Sequence, residues 1–111
     1  MEEKERQRSV SKKLRVIFPD GETICYSSSK VTYVETLKKI GTANFDEINI
    51  EMCHLPLFTK EIYPQYKGDM EMVDNGWYVN TRGGVYNKAA QLKIISEQFN
   101  IGLTVDVSAD F

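Results

Sequence analysis

Histidine, cysteine and proline are scarce in this chain of 111 residues: one, two and three respectively. A zinc site wants about four ligands, usually at Cys-x2-4-Cys or His-x3-5-His spacing. Neither spacing occurs, so no metal is expected. Cys25 and Cys53 both sit in apolar, strand-like contexts where a free thiol behaves as a small hydrophobe, and a disulfide framework is excluded. There is no apolar run of the roughly 18 to 20 residues that would span a bilayer. The opening "MEEKERQRSVSKKLRV" carries charge where a signal peptide would be apolar, so a cytosolic location without membrane contact is expected. A basic surplus is lacking too, since the formal charge is −2, which argues against a partner held by its phosphate backbone.

Catalytic signatures are equally missing. "GxSxG", the P-loop spacing and "GxGxxG" are absent, and a serine or cysteine nucleophile would have only His54 as its histidine base. Cys53 and His54 adjoin in "EMCHLPLF", but neighbours on a strand point to opposite faces and cannot easily share one centre. The acids Asp46, Glu47, Glu71 and Asp74 lie in polar stretches expected to be solvated, not in a catalytic cleft. No enzyme activity and no cofactor are expected.

What remains is the composition of a globular domain, with 41% hydrophobic and 27% charged residues in a length suited to one core. "LRVIFPDGETICYS" alternates apolar and polar positions on both sides of Pro-Asp-Gly, which predicts a β-hairpin. "SSSKVTYVETLKKIG" supplies serines for an N-cap, Tyr33, Leu37 and Ile40 at helical spacing, lysines in the last turn and a closing Gly41. A helix over about Lys30 to Ile40 follows. Ile48, Ile50 and Met52 alternate within Asp46 to Cys53 and predict a strand, whereas Leu55 to Val73 has no sustained period and reads as a long connection too greasy to be wholly solvated. Trp77 to Thr81 predicts a strand, Ala89, Leu92, Ile95 and Phe99 a second helix ended by Asn100 and Gly102, and Leu103 to Val107 a last strand. If the strands flanking that helix are parallel, the unit is a right-handed β-α-β crossover.

The order β-β-α-β-β-α-β makes the chain a single α+β domain over residues 14–111, with an open mixed sheet and two helices on one face. Residues 1–13 form a flexible, charged, slightly basic N-terminal arm.

Two groups of residues carry functional expectations. Backbone amides at a helix start, two glycines and a guanidinium are the ingredients of an anion site, so Arg82, Gly83, Gly84, Lys88 and Lys93 are candidates for binding a small anion, a nucleotide or nucleic acid. The same glycines serve equally to turn a strand into a helix. Aromatic and apolar residues crowd the second half, and Leu57, Phe58, Tyr63, Tyr66, Trp77 and Tyr78 are candidates for an interface. The leading expectation is a non-catalytic interaction module that forms a homodimer or docks on a protein partner through Leu55 to Tyr78. Nucleic-acid association through Arg82, Lys88, Lys93 and the arm, and small-anion binding at Gly83-Gly84, are the alternatives.

Overall fold

The computed structural model of the protein describes residues 12–111, so the arm expected over residues 1–13 falls, up to residue 11, outside them. Strands are β1 Lys13–Ile17, β2 Thr23–Ile24, β3 Glu51–Met52, β4 Leu55–Pro56, β5 Phe58–Thr59, β6 Met70–Asp74, β7 Trp77–Asn80 and β8 Thr104–Ser108, with helices α1 Ser29–Ile40 and α2 Val85–Gln98. Every pairing is antiparallel, in three sheets ordered β2-β1-β8, β3-β4 and β5-β7-β6 among the described residues. The α+β class holds; the open mixed sheet is in fact three small antiparallel ones.

Local chemistry explains the elements that the sequence announces. Asp20 accepts the Glu22 N–H at 2.9 Å and Gly21 takes φ +93° in the β1–β2 turn, a conformation that costs glycine little. The Ser28 hydroxyl accepts the Val31 N–H and caps α1, which Gly41 ends with its N–H donated to the Leu37 carbonyl. α1 packs on β1 and β6, and α2 on β8, β1 and α1. Leu14 and Val16 of β1 join Tyr33, Leu37, Leu92 and Ile95 in one core, so both helices cover one face of the first sheet. On the other face Arg15 meets its cross-strand neighbour Asp106 at 3.4 Å and lies 3.9 Å above the Phe111 ring.

Three expectations need correction. Most of the strand expected over Asp46 to Cys53 is absent: Phe45–Glu47 is a short 3-10 turn and only Glu51–Met52 pairs. Cys53 and His54 are not strand residues but the two corner positions of the β3–β4 hairpin, at φ +58° and +68°. The turn lacks the Asn-Gly chemistry that usually marks such a corner.

The 55–73 stretch is also far from irregular. It supplies β4, β5 and nearly all of β6, with a 3-10 segment over Pro64–Asp69. Asn75-Gly76, at φ +52° and +79°, then folds β6 back onto β7 as a tight hairpin. Finally, β7 and β8 lie in different sheets, so α2 links two layers and makes no β-α-β crossover.

Candidate functional site

The strand-to-helix junction at residues 81–88 brings together several of the expected anion-binding groups, and then occupies them. Gly84 is the N-cap of α2 at φ −75°, with no side-chain cap. Gly83 is pressed against its surroundings: a Cβ there would stand 2.9 Å from Asn87 and from the Met52 terminal methyl. Arg82 is exposed, but its guanidinium pairs with Asp69 at 3.2 Å and lies 5.4 Å from the Tyr66 ring centre. Its backbone N–H is taken by the Asn80 side-chain oxygen at 3.0 Å.

Lys88 is the decisive residue. Its ammonium donates to the Thr81 carbonyl at 3.0 Å and to the Gly83 carbonyl, and the residue is only 5% exposed. Burial pushes its pKa below the ordinary lysine value, Lys30 adds to this, and Asp69 opposes it. The cation is spent on closing the junction. Lys93, five residues on, lies about 140° around the helix from Lys88 and is exposed, so the two cannot face one ligand. Asn80 retains a buried Nδ2 without a partner, yet the residue is 1% exposed and opens to no surface ligand.

The aromatic group is scattered as well. Leu57 and Phe58 are 0% and 6% exposed and belong to the chain's own core, while Ile62 and Met72 of the same segment are exposed. Phe45 stacks on Phe58 with ring centres 4.2 Å apart and meets Trp77 edge-on at 5.7 Å, which gives Trp77 an internal role. Tyr78 is half-buried on the same strand. Tyr63 donates its hydroxyl to the Pro56 carbonyl at 3.2 Å. The Cys53 side chain raises the Tyr66 pKa above the ordinary phenol value, as does partial burial, while Arg82 pulls the other way. The Tyr63 bond ties the start of the 3-10 segment to β4. No three His, Cys, Asp or Glu side chains are grouped as a metal set among the described residues, and no helix among them is long and apolar enough to cross a membrane.

A recess lies elsewhere, between β2 and α1. A groove of about 610 Å³ runs along residues 22–26 on one side and Glu35, Lys38 and Lys39 of α1 on the other. The position of β2 at the end of its sheet leaves one side of the strand without a partner strand among the described residues. Which backbone groups face outward follows from the pairing. Phe18 donates to the Glu22 carbonyl at 2.8 Å and Val16 is opposite Ile24, so the Glu22 carbonyl and the Ile24 backbone turn inward to β1. By alternation, Thr23 and Cys25 turn theirs to the outer edge.

Ile24 forms the apolar floor, and Tyr26, half exposed, stands at one end, where its N–H is held by the Thr32 hydroxyl at 2.7 Å. Charge along the walls is already matched. Lys39 reaches Glu22 at 2.8 Å and Asp20 at 3.6 Å, and Lys38 reaches Glu35 at 3.4 Å. The bond to Glu22 raises the Lys39 pKa, and the backbone N–H of Glu22 leads the forces that lower that of Asp20. The sequence shows "TICYS" as a short alternating strand, but nothing local says that its outer edge stays uncovered.

Set beside known proteins, the chain matches no family model, no curated protein and no solved structure, and its function is therefore argued from its own geometry.

Proposed function

We propose that this protein is a non-catalytic interaction module that takes an extended segment of a protein partner into the β2–α1 groove by strand addition. The observation that carries the reading is the outward-facing backbone of Thr23 and Cys25 along a recess walled by a helix. An extended peptide laid antiparallel or parallel to β2 satisfies those amides and carbonyls, and its alternate side chains enter the space above Ile24 and beside Tyr26. Glu22 to Tyr26 line that side of the groove, with Thr23–Ile24 as its paired strand. Because wall charges are paired among themselves, recognition rests on backbone bonds and the apolar floor more than on net charge.

The test uses a displayed library of random linear peptides selected on the purified protein, with binding of synthesised hits followed by fluorescence anisotropy. Hits are expected to alternate apolar and polar positions. Cys25→Pro removes the outward N–H while sparing the bonds to β1, and is expected to weaken hits roughly tenfold or more, whereas Cys25→Ser leaves them unchanged. An absence of enriched sequences, or binding indifferent to Cys25→Pro, defeats the reading.

A further inference from the structure

The outer face of α2 carries a second apolar stripe that no part of the described chain covers. Tyr86, Ala90 and Ile94 succeed one another at intervals of four residues, and Tyr86 and Ile94 are 61% and 50% exposed. They lie within about 40° of the line through Ala90, on the side opposite the buried Leu92 and Ile95. The stripe reads large, small, large. Such an arrangement is its own complement: a second α2 run antiparallel about a two-fold axis at Ala90 places Tyr86 against the partner's Ile94, and the two small Ala90 side chains allow close approach.

The charges on the helix point to the same occupant. A lone helix is stabilised by acids in its first turn and bases in its last. α2 has neither. Its N-terminal end instead bears Arg82, whose exposed guanidinium also meets Asp69, and lacks a side-chain cap, and its C-terminal end bears the exposed Glu97. Gln98 donates to the Glu47 carbonyl at 2.8 Å and so fastens the exposed acids Asp46 and Glu47 beside that same end. The positive dipole end is therefore uncapped, with Arg82 beside it, and the negative dipole end has exposed acids gathered on it. Antiparallel pairing brings the partner's Glu97 opposite Gly83, next to Arg82 and the uncapped first-turn amides, and relieves both ends twice over.

We infer that α2 forms a symmetric antiparallel homodimer interface, centred on Ala90 and oriented by Arg82 and Glu97. This surface is separate from the β2–α1 groove, so either can stand without the other.

Sedimentation velocity over a concentration series tests it. The wild-type protein is expected to show a mass that rises toward the dimer with concentration and falls again with added salt. Ala90→Arg, at an exposed helical position, is expected to leave the circular-dichroism melt unchanged and the protein monomeric. Arg82→Glu and Glu97→Lys are each expected to weaken association roughly tenfold. The double variant, which exchanges the two signs across the interface, is expected to recover it. A wild-type protein that stays monomeric at the highest concentration it dissolves to overturns the inference. So does a dimer that survives Ala90→Arg, or a double variant no better than the single ones, the last being decisive even if Ala90→Arg fails to fold.

Discussion

Tyr33 on α1 donates its hydroxyl to the Gln91 side-chain oxygen on α2 at 2.5 Å, in a core where Tyr33 is 0% exposed and Gln91 8%. This polar tie joins the two helices within the core. Burial drives the phenol pKa well above its ordinary value.

Tyr33→Phe keeps the ring and removes the donor, leaving the Gln91 amide underused in the interior. The expected cost is about 1–2 kcal/mol at neutral pH, read from urea unfolding. The pH dependence has a definite sign. Above pH 10, the ordinary phenol value, an unfolded chain loses the Tyr33 proton while the folded protein keeps it, so stability present below that pH is lost as pH rises. Tyr33 is expected to contribute a fall of about 1.4 kcal/mol per pH unit there. The Tyr33→Phe variant is expected to show a correspondingly shallower alkaline decline; equal slopes in the two proteins contradict this account.

The adjacent glycines of the 82–84 junction are expected to behave differently. Gly83→Ala forces a methyl to within 2.9 Å of Asn87 Cβ and the Met52 methyl, and is expected to destabilise by about 1–3 kcal/mol. Gly84→Ala meets nothing within 4 Å, at a φ of −75° open to any residue. It is expected to change stability by less than about 1 kcal/mol, since alanine is a poorer N-cap but stiffens the unfolded chain. Thermal melts of the pair decide the matter, and similar losses in both variants refute it.

Both corner residues of the β3–β4 hairpin hold a left-handed backbone without being glycine or asparagine. His54, at φ +68° and exposed, makes no hydrogen bond with a described residue, so His54→Gly relieves the strain without loss of a partner. A gain of about 0.5–1 kcal/mol is expected from chemical unfolding. A destabilised His54→Gly protein speaks against strain at this corner.

Several features were legible because they depend on near neighbours. Pro-Asp-Gly closes the β1–β2 turn, Ser28 and Gly41 bracket α1, and the spacing of Ala89, Leu92 and Ile95 marks the buried side of α2. Asn75-Gly76 carries an equally local hairpin signal that the expectation of a connection over 55–73 does not use, and it is the corner that pairs β6 with β7. The Cys53-His54 corner carries no such signal; the β3 and β4 pairing holds those residues in a conformation they do not favour.

The candidate site was far less legible. Arg82, Gly83, Gly84 and Lys88 are neighbours in sequence and in space, yet burial of the Lys88 ammonium against two carbonyls turns an apparent anion trap into a helix clasp. Leu57 and Phe58 look like interface residues until Val79, Phe45 and the core close over them.

The pattern of apolar side chains and turn residues was enough to determine that this chain is an α+β domain with two amphipathic helices, because periodicity and capping act within a few residues. Only the tertiary structure decided which strand edge and which helix face stay uncovered among the described residues, and which cation is spent internally. Those outcomes depend on contacts between segments tens of residues apart, where the burial of one side chain is settled by whatever packs over it.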